Sequence, residues 1–115
     1  MRNNIIMISF ASAILVASSA FAQEENKTRV NQIENRIDNQ EQRINKGIAD
    51  GNLTKGQARR DERRTDRVEK ELKRDEAKHD GHITKREEHR MNNQLNHNSE
   101  HIHHQNHEAA EKKRK

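Results

Sequence analysis

Two seven-residue segments, ADGNLTK at positions 49–55 and HDGHITK at positions 79–85, decide the fold of this chain. The second begins thirty residues after the first, and the two share Asp, Gly, Thr and Lys, with Leu53 aligned to Ile83. Asp-Gly dipeptides are typical of turns. The repeat therefore predicts one turn used twice, with room for a helix of about 25 residues between the copies.

A helix-start signal follows each turn. Thr54 precedes Gln57 by three residues, and Thr84 precedes Glu87 by the same interval. In such a capping box the Thr side chain accepts a hydrogen bond from the backbone three residues on, and the Gln or Glu side chain accepts one from the Thr backbone. We therefore predict helix caps at Thr54, Gln57, Thr84 and Glu87.

Outside the turns, apolar residues recur at helical intervals and form one narrow stripe per helix. The predicted fold is all-α, with three helices at about 25–47, 54–78 and 84–106 that form a marginal or coiled-coil-like bundle. Narrow stripes would also allow a homodimer. The predicted core is Val30, Ile33, Ile37, Ile44, Ile48, Leu53, Val68, Leu72, Ile83, Met91, Leu95 and Ile102.

The first 22 residues are typical of a removable signal peptide. A basic start precedes an uncharged apolar stretch that ends at Ala20, and a small-x-small site follows at 20–22. The apolar stretch is shorter than the roughly 20 residues that span a bilayer. We predict cleavage after Ala22, a periplasmic or secreted product, a helical repeat region at 23–107 and a basic disordered tail at 108–115.

The composition excludes several function classes. The 115 residues carry a formal net charge of +4, are 37% charged, and include no Cys, Trp or Tyr. No thiol enzyme or disulfide scaffold is therefore possible, and no nucleophile elbow, phosphate loop or His-Glu-x-x-His motif occurs, so we predict no enzyme. Acidic residues interleave with the arginine run at 59–67, which predicts a solvated face of mixed charge rather than a nucleic-acid partner. No helix has a wide apolar face, which predicts no stable membrane insertion.

All eight histidines lie between His79 and His107. Several are spaced by three or four residues, so pairs of imidazoles share a helix face. Neutral imidazole suits Zn²⁺, Cu²⁺ and Ni²⁺, and a site without Cys would be open. We expect a non-catalytic exported protein that binds such a metal in a buffer or stress role, or whose charge responds to pH. The candidate ligands are His97, His101, His103, His104 and His107.

The two turns and the segment NHNSEHI at 96–102 resemble a family of small exported helical proteins of Gram-negative bacteria. The resemblance extends over about residues 40–107 and implies export and a turn-linked helical fold, but no activity. The segment LTKGQ at 53–57 resembles the Leu-Thr-x-x-Gln motif of periplasmic stress chaperones and metal sensors. That resemblance implies an alternative function: a chaperone-like or structural helical protein with incidental histidines and, as partners, unfolded-protein clients.

The turns also resemble degenerate EF-hands, which place oxygen ligands at loop positions 1, 3, 5, 7, 9 and 12 and glycine at position 6. With Gly81 at position 6, the second half of the loop fits, whereas Lys78 at position 3 cannot bind calcium. Calcium is therefore the less favoured ion. The candidate calcium ligands are Asp80, His82, Thr84 and Glu87 in the second loop and Asp50 in the first.

Overall fold

The computed structural model describes residues 13–115, which form three helices: α1 (Ala13–Ala49), α2 (Lys55–Lys78) and α3 (Lys85–Arg114). Helix accounts for 88% of this part of the chain, which contains no strand. Each helix packs against the other two. The predicted all-α fold of three helices is confirmed. The first 12 residues of the predicted leader lie outside the described residues, and the expected cleavage site lies within α1.

Each helix buries a seam whose positions alternate in spacing between three and four residues, as in a coiled coil. Eleven of the twelve predicted core residues are buried, whereas Ile48 is 45% exposed. The stripes that we expected to allow dimerisation pack against one another within one chain. The buried seam consists of Val30, Ile33, Ile37, Gln40, Ile44 and Gly47 in α1, Ala58, Asp61, Thr65, Val68, Leu72 and Asp75 in α2, and Met91, Leu95, Asn98 and Ile102 in α3.

The repeated turns close the two ends of the bundle. Leu53 packs in an apolar cluster with Ile44, Ala58 and Ile102. Ile83, its counterpart, packs in the larger cluster at the other end. The repeat therefore places one apolar residue under each end of the core.

Local backbone chemistry explains why each turn stops one helix and starts the next. Gly51 and Gly81 have φ angles of 70° and 87°, which glycine adopts without the steric cost of a Cβ. Thr54 and Thr84 are the N-caps of α2 and α3, and both predicted capping boxes are confirmed. The reciprocal hydrogen bonds, between Thr54 and Gln57 and between Thr84 and Glu87, range from 2.9 to 3.2 Å.

Three arginines of α1, spaced seven residues apart, join α1 to α3. Their acceptors advance along α3 in the same order, so the two helices run in parallel with a fixed register. Two of the three arginines bind uncharged acceptors on α3. The contacts are Arg29 Nε with Glu88 Oε2 at 3.3 Å, Arg36 with Asn92 and Asn96, and Arg43 Nη1 with Ser99 Oγ at 2.6 Å.

The basic C-terminal segment differs from the sequence-based expectation. Residues 108–115 were predicted to be a disordered tail, but α3 continues to Arg114. The Lys113 ammonium donates to the Asp50 carbonyl at 2.6 Å and to Asn52 Oδ1 at 2.9 Å, and so fastens the end of α3 to the first turn. Basic residues in the last turn also interact favourably with the helix dipole. The prediction of disorder was therefore wrong.

Gly47 provides a first test of the packing. A Cβ at this buried position would lie 2.7 Å from Leu53 Cγ and 2.6 Å from Asn106 Oδ1. We expect Gly47→Ala to lower the free energy of unfolding by about 1–2 kcal/mol, because overpacking outweighs the better helix propensity of alanine. Gly56→Ala is the control, since its Cβ would meet nothing closer than 3.8 Å. Urea unfolding followed by circular dichroism should show Gly56→Ala at least as stable as the parent; equal losses in both variants would contradict the close approach at Gly47.

Candidate functional site

The predicted metal-binding histidines all lie on exposed surface of α3. Helical spacing divides them into two rows on that surface. One row contains His97, His101 and His104, and the other contains His103 and His107. The bundle therefore leaves every one of these rings accessible to a dissolved ion.

The rings of His103 and His107 are stacked. Their planes are 7° from parallel and their centroids lie 5.8 Å apart. One turn further on, Glu111 Oε1 lies 3.3 Å from His107 Nε2. Two imidazoles and a carboxylate therefore lie along one line of α3. We term this set the histidine row: His103, His107 and Glu111.

The histidine row is an open arrangement rather than a preformed centre. Among the described residues, the group of three His, Cys, Asp or Glu donors whose ligand atoms all lie within 4.8 Å of one another is Glu41, Asp66 and Glu69. No three histidines in residues 13–115 meet that distance. A metal at the histidine row would therefore rely on rotation of exposed side chains and on water for its remaining ligands.

An acidic groove between α1 and α2 was not predicted. Burial raises the pKa of Glu41, and the charges of Glu69, Asp38 and Asp66 raise it further. Burial also raises the pKa of Glu76, together with the nearby charge of Glu34. These carboxylates repel one another at neutral pH, which destabilises the folded state. Protonation reduces this repulsion. The carboxylates that line the groove are Glu34, Asp38, Glu41, Glu62, Asp66, Glu69 and Glu76.

The predicted calcium-loop residues are used differently. Glu87 Oε1 accepts from the Thr84 backbone N–H at 2.9 Å and lies 3.2 Å from His79 Nε2. Burial opposes ionisation of Glu87, but the hydrogen bonds with Thr84 outweigh it, and the pKa of Glu87 is lowered. Asp80 is exposed, with a φ angle of 53°. The structure therefore gathers Thr84 and Glu87 into a helix cap and not, with Asp80 and His82, into a set of ligands.

Four buried polar residues of the seam form a belt between the two apolar clusters: Gln40, Asp61, Thr65 and Asn98. Gln40 Nε2 donates to the Leu95 carbonyl at 2.6 Å. Asp61 Oδ1 binds Arg64 Nη1 at 3.1 Å, but Asp61 Oδ2 and Asn98 Nδ2 are buried without a hydrogen-bond partner. Each of these two unpaired atoms costs the folded state the hydrogen bonds that water provides in the unfolded chain.

Only part of this belt was expected from the sequence. Thr65 lies three residues before the predicted core residue Val68. Asn98 lies three residues after Leu95, so both polar residues continue the predicted apolar stripes. Gln40 and Asp61 are polar and were not assigned to the core from the sequence. Their spacing carries the signal, because Gln40 lies three residues after Ile37 and Asp61 lies three after Ala58. Continuing the three-four alternation through polar positions would have found both.

Comparisons with models of protein families, with curated proteins and with solved structures gave no match. In the part of the chain from residue 13 onward, no helix is sufficiently long and apolar to cross a membrane.

Proposed function

We propose that this chain is an exported, non-catalytic helical protein that binds Zn²⁺, Cu²⁺ or Ni²⁺ through the histidine row of α3, in a buffering or stress role. The supporting observation is the stacked pair His103 and His107, with the Glu111 carboxylate next to His107. The helix that carries this pair is already formed in the folded chain, where α3 packs against α1 and α2. Binding therefore does not have to order the helix, which would otherwise cost conformational entropy.

The chemistry suits reversible binding. Two neutral imidazoles and one carboxylate leave coordination positions for water, as in open metal sites. Because imidazole must lose its proton to bind metal, affinity falls in mild acid. His97, His101 and His104 offer a second row on the same helix. Among the described residues, no two rings of this second row stack and none contacts a carboxylate, so it should bind metal more weakly than the histidine row. An exposed, exchangeable site of this kind fits a buffer better than a structural metal centre.

The alternative functions receive less support from the geometry. A chaperone that holds unfolded clients needs exposed apolar surface, and the large apolar residues exposed in the described part of the chain are Phe21 and Ile48. Phe21 lies before the predicted cleavage site. A purely structural role, with incidental histidines, is the better form of that alternative. Calcium binding would require Thr84 and Glu87 to break their capping box.

Removal of the stacked pair tests the proposal. We expect the double variant His103→Ala/His107→Ala of residues 23–115 to bind Ni²⁺ or Zn²⁺ at least about tenfold more weakly in calorimetric titration, which corresponds to the loss of about 1.4 kcal/mol. The control is His82→Ala/His89→Ala, which removes the same number of imidazoles from outside the row. It should bind like the parent.

Two results would contradict the proposed site. Equal weakening in both double variants would mean that histidine number, not the row, sets affinity. No transition-metal binding by the parent, with helix already present, would favour a structural protein with incidental histidines. Bound metal should also raise the melting temperature of the parent, because a ligand that binds only the folded state stabilises it.

A further inference from the structure

The outward side of α2 carries a line of cations. Arg60, Arg63, Arg67, Lys70 and Arg74 are spaced by three and four residues, which places them along one face of the helix. All five are exposed. They are termed the α2 basic face.

In the sequence, acidic residues alternate with these cations, but the fold turns most of the acidic side chains away from the α2 basic face. Asp61 is buried in the polar belt. Glu62 and Asp66 line the acidic groove against α1. On the other side, Glu71 and Asp75 bind Arg90 of α3. Helix packing therefore turns most of the acidic residues of α2 away from the cations, with Asp66 and Glu71 at the borders of the basic face.

Most of the α2 basic face has no internal partner. Across residues 13–115, Arg60, Arg63, Arg67 and Lys70 take part in no ion pair or side-chain hydrogen bond, whereas Arg74 Nε lies 3.7 Å from Asp75 Oδ1. Like charges one turn apart repel each other. External anions would relieve this repulsion, so the face complements a negatively charged surface.

We propose that the α2 basic face docks, by charge and without insertion, on the anionic phospholipid headgroups of a membrane. Guanidinium groups bind phosphate with paired hydrogen bonds. A straight line of cations along a helix can contact a flat array of phosphates at every turn. The exposed large apolar residues of the described chain, Phe21 and Ile48, lie on α1, so nothing on this face would enter the bilayer.

A membrane suits this face better than a nucleic acid. The chain has no Trp or Tyr, and both Phe lie before the predicted cleavage site, so no aromatic ring would remain to stack on bases. The predicted leader also directs the product to a compartment bounded by membranes. The docking surface is separate from the histidine row on α3, so the two proposals can fail independently.

Binding of residues 23–115 to sedimenting vesicles tests the proposal. We expect binding to phosphatidylcholine vesicles that contain phosphatidylglycerol and none to phosphatidylcholine alone. Each Lys or Arg near an anionic membrane contributes about fivefold to partitioning. The triple variant Arg63→Gln/Arg67→Gln/Lys70→Gln should therefore lose more than about tenfold in partition coefficient.

The matched control is Lys27→Gln/Arg86→Gln/Arg114→Gln. It also removes two arginines and one lysine, but from exposed positions that lie off the α2 basic face. It should keep most of the binding, because charges held beyond a Debye length from the membrane contribute little. Circular dichroism checks that both triple variants fold. Equal losses of vesicle binding in the two variants would overturn the proposal, because net charge and not the α2 basic face would then set the binding. Tighter binding of a DNA duplex than of vesicles, lost in the first variant, would assign the face to nucleic acid and also overturn it.

Discussion

Replacing Ile44 with alanine is expected to lower the free energy of unfolding by about 2–5 kcal/mol. Ile44 is 1% exposed and belongs to the small apolar cluster under the first turn. That cluster has four members, with the polar belt on one side and the turn on the other, so few apolar side chains can move into the space left behind. Small domains have roughly 5–15 kcal/mol of stability in total, so this variant should lose a large part of it.

Ile48 is the matched control for this prediction. It is the same residue type on the same helix, one turn further on, but it is 45% exposed. Ile48→Ala should change the free energy of unfolding by less than about 0.5 kcal/mol. Both substitutions replace isoleucine with the better helix former alanine, so the difference between them mainly measures burial. Urea unfolding that gave the two variants equal stability would contradict the burial of Ile44 and the exposure of Ile48.

Replacing Asp61 with asparagine is expected to raise the free energy of unfolding by about 1–2 kcal/mol at neutral pH. The Asp61 side chain is 2% exposed, and its Oδ2 atom has no hydrogen-bond partner. Asparagine keeps the shape but removes the buried charge. Arg64, which loses its ion pair, is one-third exposed and can be hydrated instead.

The effect of Asp61→Asn should depend on pH in a defined direction. Burial raises the pKa of Asp61, and the opposing charge of Arg64 only partly offsets this. The folded state therefore holds the proton more tightly than the unfolded state does. The stability that this group contributes is fully present below its ordinary pKa of 3.8 and is lost as pH rises through the raised, folded-state pKa.

The advantage of Asp61→Asn should therefore be largest at neutral pH and should shrink as the pH falls towards 3.8. Thermal unfolding of parent and variant across that range measures it. Asp80→Asn is the control, because Asp80 is exposed and asparagine tolerates its positive φ angle. A variant at Asp61 that is less stable than the parent at neutral pH, or whose effect does not change with pH, would contradict the cost assigned to the polar belt.

The features that the sequence predicted correctly depend on local chemistry. Short-range spacing within one helix or turn is sufficient to predict the turns, the caps at Thr54 and Thr84, and most of the core. Ile48 is the instructive error. It lies four residues after Ile44 and is apolar, yet the buried seam continues through Gly47, three residues after Ile44. Glycine has no side chain whose polarity could indicate burial. At position 47 the absence of a side chain lets Leu53 approach the helix closely.

The surfaces were harder to predict because they depend on how the helices are rotated against one another. Glu41 and Asp66 meet across two helices, and no sequence interval relates them. The charges around Arg63 and Arg67 alternate in sequence, but the fold turns the acidic members towards α1, α3 or the core. For the histidines, spacing predicted which rings share a face, whereas the stacking of His103 on His107 also depends on side-chain rotamers.

The uninterrupted three-four spacing of the seam has a consequence for how such a chain can change its length in evolution. Inserting or deleting seven residues in every helix at the same level would change the rod by about 10.5 Å and leave each buried position facing the core. An insertion or deletion in one helix whose length is not a multiple of seven would rotate the rest of that helix about its axis and turn its buried positions away from the core. Viable length variants should therefore differ by whole heptads, gained or lost by all three helices together, while the two turns stay intact.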